Sequence, residues 1–316
     1  MRPIQHLEAG FQAELKQFGL IRLSGPDATG FIHRQLSNDI AGLNRQSARF
    51  AGYLTPQGLL FATALVWKQK EDVFLLVARD IVASLIERLQ KYILRSRVQT
   101  SDESETFSVY GLGGKGAAGA IASLFEAVPD MPYGKTENPQ GDLIRTSDAF
   151  NSARYLLVTP EKYAKDLTFQ GLTQTTDEDW ELGDIKAGIP QIYAATQNRF
   201  LPQTLNMEEV NGLCWSKGCF PGRGSIARAA LENVQKEQML RMHAQTDAFH
   251  AQAFAGMGPG NAIFSPLFPE TPSGTVVRAA RQDEKRLECL AVIEKEALTS
   301  GVLHLGSLQG PRLIPD

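Results

Sequence analysis

Apolar residues fall first in a short alternating run over residues 19–23, which reads as a strand. Ser24-Gly25-Pro26 then opens a helix, and Ala28, Phe31, Ile32 and Leu36 give it one buried stripe. Ser37-Asn38-Asp39 is a polar turn. Three apolar runs follow at 50–54, 59–67 and 73–78. They are joined by Thr55-Pro56-Gln57-Gly58 and Lys68-Gln69-Lys70-Glu71-Asp72, turn chemistry that predicts antiparallel pairing. Asp80 is placed to cap a helix with the apolar face Ile81, Val82, Leu85, Ile86, Leu89 and Ile93, ending near Arg95-Ser96-Arg97. Residues 98–100 and 106–110 read as short strands. Hairpins and helices mixed in this way predict α+β units of the split βαβ kind.

Further along, residues 142–145 and 155–158 read as a strand pair, and 160–170 as a helix stopped by Gly171. Asp177-Glu178-Asp179 opens another helix with acids in its first turn, which suits the helix dipole. That helix carries Trp180, Ile185 and Lys186 and ends at Gly188-Ile189-Pro190. Residues 191–210 are polar and irregular. From about Gln238 the texture changes to short β-like pieces, at 275–280, 287–293 and 302–305, separated by glycine and proline. This predicts a small β-barrel domain over 238–316, after an α+β region of two interleaved modules over 1–237. Whether 229–236 is helical or extended stays open.

Composition narrows the classes. The chain has 316 residues, is 43% hydrophobic and carries a net charge of -3. No long basic run points to duplex nucleic acid. Three cysteines make no disulfide framework, so the expected compartment is reducing. No window of 18 uninterrupted apolar residues spans a membrane, and the first ten residues do not form a secretory signal. The protein is expected to be soluble and cytoplasmic.

Two glycine-rich stretches invite chemistry. Gly111-Leu112-Gly113-Gly114-Lys115-Gly116 has the form of a dinucleotide fingerprint between a strand and an Ala-rich helix over 117–127. The acid that should follow about 20 residues on is replaced by a loop, Pro129 to Gly134, so a plain strand-to-helix turn is favoured. The second stretch, residues 211–228, holds Cys214 and Cys219 among four glycines with Lys217, Arg223 and Arg228. Cations near Cys219 favour its thiolate if they are close in space. A catalytic thiol, a functional but noncatalytic thiol and a structural cysteine all stay open, and His243 and His250 are the nearest histidines. Cys214, between Leu213 and Trp215, reads as core. Zinc needs four ligands, and they are not evident here. Trp180 and Phe18 each read either as core or as flat faces for an aromatic ligand.

Lys217-Gly218-Cys219-Phe220-Pro221-Gly222 resembles the K-G-C-[YF]-x-G-Q-E signature of the YgfZ family, folate-binding proteins related to the T-protein (aminomethyltransferase) of the glycine cleavage system. The resemblance extends in order through most of the chain. It includes Leu23 to Ala28, Gln35 to Asp39, Tyr53 to Gly58 and Tyr92 to Val98. Trp180, Ala187 to Pro190, Phe200 to Gln203 and Asn206 follow in family order and spacing. It implies a ring-like arrangement of two ferredoxin-like α+β modules plus a C-terminal β-barrel, with tetrahydrofolate or a one-carbon derivative in the central opening. It implies Phe18 and Trp180 as folate-stacking aromatics, and Lys217 and Cys219 as a functional pair. Members support assembly or repair of iron–sulfur enzymes, including tRNA-modifying ones, so such client enzymes are expected partners.

Three departures shape the expectation. The signature's Gln-Glu is Arg223-Gly224. The pterin-binding acid before Ala-Gly is Lys186, and an ammonium cannot accept hydrogen bonds. Lys186, Arg223 and Arg228 are left as candidates for a folate glutamate tail. The T-protein's acidic pair has no counterpart, since residues 58–65 read GLLFATAL. Enzymatic aminomethyl transfer, the alternative reading, is therefore disfavoured.

Overall fold

The computed structural model describes residues 5–231, 236–246 and 254–316. His250 and residues 232–235 lie outside them. The chain runs α1 (Gln5–Ala9), β1 (Phe11–Glu14), β2 (Phe18–Ser24), α2 (Ala28–Gln35), β3 (Ala48–Leu54), β4 (Leu60–Gln69), β5 (Asp72–Ala78), α3 (Val82–Gln90) and β6 (Gln99–Asp102). Then come β7 (Phe107–Gly113), α4 (Ala117–Ile121), β8 (Lys135–Asn138), β9 (Gly141–Ala149), β10 (Ser152–Pro160), α5 (Glu161–Ala164), β11 (Thr173–Gln174) and α6 (Asp177–Lys186). After a long irregular stretch the chain forms α7 (Arg223–Leu231), β12 (Glu237–Gln245), β13 (Ala262–Phe264), β14 (Gly274–Asp283), β15 (Arg286–Glu294), α8 (Lys295–Leu298), β16 (Leu303–Leu305) and β17 (Arg312–Pro315).

Three sheets organise these elements. The first has strand order β3-β4-β5-β2-β6, the second β11-β1-β7-β10-β9-β8, and β12-β15-β14-β13-β16-β17 close into a barrel. Among the described pairings only β1 with β11 is parallel. The mixed α+β class and the barrel agree with the sequence reading.

Burial explains the stacking. The α2 and α3 stripes (Phe31, Ile32, Leu85, Leu89) cover one face of the first sheet, against Ile21, Val66 and Leu75. The opposite face presents Leu20, Leu65, Trp67 and Leu76 to Phe11, Val109, Ile144 and Leu156 of the second sheet. Trp67 Nε1 donates to Asp142 Oδ2 at 3.0 Å across that junction, and the buried Lys135 ammonium lies 2.6 Å from Asp142 Oδ1. A third cluster ties α6 (Leu182, Ile185) to the barrel wall (Val277, Leu290) and to Phe200 and Phe220 of the irregular stretch. Helix α6 thus stands where the three modules meet.

Several expected boundaries shift. Asp80 does not cap α3. It lies in a preceding 3-10 turn over Arg79–Ile81, and its carboxylate accepts from the Ala194 N–H at 2.9 Å. α3 ends at Gln90 rather than near Arg95–Arg97. The helix expected over 160–170 shrinks to α5, and the one over 117–127 to α4. By contrast α6 carries its predicted start and stop: Thr176 and Asp179 form a capping box, and Gly188 takes a φ of 69°.

The first glycine-rich stretch serves packing. β7 is antiparallel to both neighbours, so no βαβ unit forms. The amides of Lys115 and Gly116 already donate to the carbonyls of Glu8 and Ala9. A Cβ on Gly111 would lie 2.3 Å from the Trp180 ring, and Gly114, at φ 87°, backs onto Gly10.

Candidate functional site

The loop before α7 is fastened at every turn by segments that the sequence marked separately. Ser37 Oγ donates to the Gly212 carbonyl at 2.6 Å, and the Cys214 N–H donates to the Ser37 carbonyl at 3.0 Å. Asn38 Nδ2 bridges the carbonyls of Phe50 and Asn211. Gly222, at φ 78°, has no room for a Cβ, which would lie 2.5 Å from the Thr55 carbonyl oxygen and 2.8 Å from Gly58 Cα. Ser225 Oγ donates to the Pro56 carbonyl at 2.9 Å. The turns at 37–39 and 55–58 are therefore the floor of the loop.

Lys217 points inward. Its Nζ donates to the carbonyls of His33 and Leu36 at the C-terminal end of α2, where a cation is favoured. Burial pushes its pKa down to about 8; Asp39 and Cys214 push it up, and Arg223 pushes it down. The ammonium also lies 5.1 Å from the centre of the Phe220 ring. Arg223 folds back over the same loop, donating to the carbonyls of Lys217 (2.6 Å) and Trp215 (2.8 Å). Arg228 is exposed on α7.

Of the two loop cysteines, Cys214 departs from the reading of the sequence, whereas Cys219 stays within what was left open. Cys219 is exposed. Cys214, expected in the core, is only half-buried, with its Sγ 3.3 Å from Ser216 Oγ. Burial raises its pKa, but the Ser216 hydroxyl and the amides of Lys217 and Ser216 outweigh this and leave the thiol below its ordinary value. Among the described residues no cluster of metal-ligating side chains forms.

The second place of interest is the junction of the modules. A cavity of about 50 Å³ is lined by Phe18, Tyr133, Trp180, Asp184, Gln191 and Arg278, among others. Phe18 and Trp180, far apart in sequence, are thus brought to one cavity. The Trp180 indole N–H is buried without a hydrogen-bond partner. Burial raises the Tyr133 pKa to about 12. Outside lies a cleft of about 440 Å³ with Gln17, Asp177, Glu178, Glu181, Tyr193 and Arg281 in its wall.

The wall between cavity and cleft is an ion-pair network that sequence reading missed. Arg278 of the barrel reaches Glu181 (2.6 Å) and Asp184 (2.9 Å) of α6, and Arg154 of the second sheet reaches Asp184 at 2.9 Å. Tyr193 donates to Glu181 at 3.0 Å. Burial alone would lower the Arg278 pKa, but the Glu181 carboxylate, with Tyr193 and Asp184, holds it well above its ordinary value. The Arg154 guanidinium lies 4.5 Å from the centre of the Trp180 ring. A signal was available: Glu181 and Asp184 stand one turn apart on α6, and Arg154 and Arg278 interrupt apolar strands.

The other expected folate contacts are elsewhere. Lys186 faces the barrel, 3.0 Å from Glu288 and 3.7 Å from Asp316. Arg223 is held by the loop it caps. Neither lines the cavity or the cleft. The junction holds pterin-type chemistry, two aromatic side chains, an unpartnered N–H and carboxylates, but in a closed state: Gly111 and the Arg154 guanidinium lie against the Trp180 ring, and Glu181 and Asp184 are paired with Arg278 and Arg154. About 50 Å³ is below the range of ligand pockets, whereas the adjoining cleft is within it.

No family model matches the chain. Whole-protein comparison gives 28% identity over 228 residues with the tRNA-modifying protein YgfZ of Serratia proteamaculans, covering 71% of this chain and 68% of that one. The protein of that name from Sodalis glossinidius is 24% identical over 92% of this chain and 87% of its own. In fold, the glycine cleavage system aminomethyltransferase T from Bartonella henselae superposes with a TM-score of 0.75 at 14% identity, over 98% of this chain and 88% of that one. The ordered motifs and the whole-chain comparisons converge: in sequence the chain is similar to the YgfZ proteins, on the fold of the glycine cleavage aminomethyltransferase.

Proposed function

We propose that this protein is a tetrahydrofolate-binding accessory protein of the YgfZ kind, working in the cytoplasm to support assembly or repair of iron–sulfur enzymes, tRNA-modifying ones among them, through the loop that carries Lys217 and Cys219. One observation carries this reading. Lys217 locks the loop onto the end of α2 while leaving the Cys219 thiol exposed. A thiol presented on a fixed loop can meet a reactive group on another macromolecule, whereas a buried one cannot. All three cysteines are free, and no helix among the described residues is long and apolar enough to cross a membrane.

For Phe18 and Trp180 to flank the pterin, the Arg154 and Arg278 pairs would have to open, which would join the cavity to the cleft and free Glu181 and Asp184 to accept from the pterin's polar edge. Bound there, tetrahydrofolate supplies a one-carbon carrier. Aminomethyl transfer gains no support: residues 58–65 contain no acid.

Two measurements test the reading. Tetrahydrofolate should quench tryptophan fluorescence saturably at micromolar concentration, and Trp180→Phe should weaken the effect. Cys219→Ala should fail to restore tRNA thiolation in cells lacking the protein. Unquenched fluorescence at millimolar folate would remove the cofactor from the proposal. Full restoration by Cys219→Ala would remove the loop.

A further inference from the structure

Helix α2 joins the thiol loop to a second surface. Its C-terminal carbonyls hold Lys217. At its other end the Asp27 carboxylate, just before the first turn, accepts the Arg97 N–H at 2.8 Å. Gly25, at φ 107°, lets the Arg97 carbonyl approach to where a Cβ would lie 2.2 Å away. Arg97 closes the segment between α3 and β6, residues 91–97 (KYILRSR). Eight helical residues separate the two anchor points, about 12 Å along the axis.

The segment is built outward. Its ends are rooted: Leu89 and Val98 are buried, and Ile93 packs on the core. Between them Leu94 is 86% exposed and Tyr92 45% exposed. Lys91, Arg95 and Arg97 flank this apolar pair along the segment, and all three are exposed. Lys91 pairs with Glu87 and Arg97 with Asp27, while Arg95 has no acidic partner among the described residues. A rooted apolar tip inside a cationic rim has the anatomy of a small interface core.

We propose that Tyr92, Leu94 and Arg95 form a docking surface for an acid-rimmed protein, and that α2 sets the distance from this surface to Cys219. The inference rests on the accessory reading above, for which it supplies the partner-facing patch. Charge selects the occupant. A second copy of this chain meeting it patch to patch would set Arg95 against Arg95 and be repelled. A single-stranded nucleic acid would stack successive bases on several aromatics along a cationic groove, and Tyr92 is the one aromatic in this segment, beside the fully aliphatic Leu94. A membrane surface is met by an amphipathic helix, whereas this segment is a seven-residue connection.

The test replaces the patch without touching the loop. Leu94→Ser and Arg95→Glu should each lower restored tRNA thiolation at least tenfold, while melting temperature and the rate of Cys219 alkylation stay at wild-type values. A photo-crosslinking residue at position 94 should give, in cells, an adduct with an iron–sulfur enzyme through an acid-rich peptide. Full restoration by both variants would overturn the proposal. So would an adduct to RNA, to this chain itself, or retention of the pure protein on phosphatidylglycerol vesicles that Arg95→Glu abolishes. If Cys219→Ala restores function but the enzyme adduct forms, the docking surface stands and the thiol proposal falls.

Discussion

The Lys217 ammonium lies 2.5 Å from the Leu36 carbonyl oxygen, a contact that joins residues 181 positions apart and fastens the thiol loop to the end of α2. Replacing Lys217 with Met keeps the stem and leaves the His33 and Leu36 carbonyls without this donor. Unpaired buried acceptors cost about 1–3 kcal/mol, so urea unfolding should show a loss of that size. Hydrogen exchange should also quicken across residues 214–222.

The same lysine makes stability depend on pH. Its folded pKa is about 8 against an ordinary 10.5. Below pH 8 both folded and unfolded chains carry the proton, and above 10.5 neither does. Between those values the unfolded chain binds more protons, so stability rises with pH across that window. Lys217→Met should remove this rise. A wild-type curve flat from pH 8 to 10 would show that the ammonium keeps its proton.

Gly111 of the first glycine-rich stretch and Gly119 of the helix that follows it should respond oppositely. Gly111→Ala drives a Cβ to 2.3 Å from the Trp180 ring and should cost about 1–3 kcal/mol, with a change in tryptophan emission. Gly119→Ala on α4 meets nothing within 4 Å and should stabilise by up to about 1 kcal/mol. Thermal melting of the pair checks that Gly111 is there for close packing against Trp180, whereas Gly119 is not held by packing.

Alkylation of the native protein should modify Cys219 and Cys214 and spare Cys289. Cys219 is exposed, and Cys214 is half-buried with its pKa lowered. Cys289 is fully buried in the barrel, and burial pushes its thiol well up. Mass spectrometry should find two adducts on the folded chain and a third only in denaturant.

Asp316 ties the end of β17 to the barrel and to α6. It accepts from Arg241 at 2.7 Å and contacts His243 at 2.6 Å. Burial raises its pKa, but the His243 contact, Lys186 and Arg241 together lower it below the ordinary 3.8. Its contribution is therefore present above pH 3.8 and is lost as pH falls through the lower folded value. Asp316→Asn should cost about 1–3 kcal/mol at pH 7, as for charged hydrogen bonds, and should leave a shallower acid transition.

The parts legible in the sequence were those decided locally. α6 announced itself through Asp177–Asp179 and Gly188, and the hairpin through residues 55–58, because caps and turns need particular residues at particular places. The turns at 37–39 and 55–58 were visible, but not that they form the floor of the loop, since that depends on where α2 and β3 are packed. Helix ends after α3, α4 and α5 were misplaced because apolar spacing continued beyond the last helical turn. Glu181, Asp184, Arg154 and Arg278 come from three modules, and only packing brings them into one network. Lys186 drew attention by its place in a motif, whereas its partners Glu288 and Asp316 stand in the barrel, far downstream in the chain.

The strand order of the second sheet has a consequence for synthesis. β1 is made early, yet its neighbours are β7 and β11, whose last residues are Gly113 and Gln174. The first sheet, by contrast, draws all its strands from residues 48–102 and from β2. As the chain leaves the ribosome, the first sheet can close while Phe11–Glu14 still waits. The apolar back of that sheet (Leu20, Trp67, Leu76) stays open to water until the second sheet has been translated. The nascent chain therefore carries a sticky half-molecule for some seventy residues, Asp102 to Gln174, which is the interval in which a chaperone has something to hold.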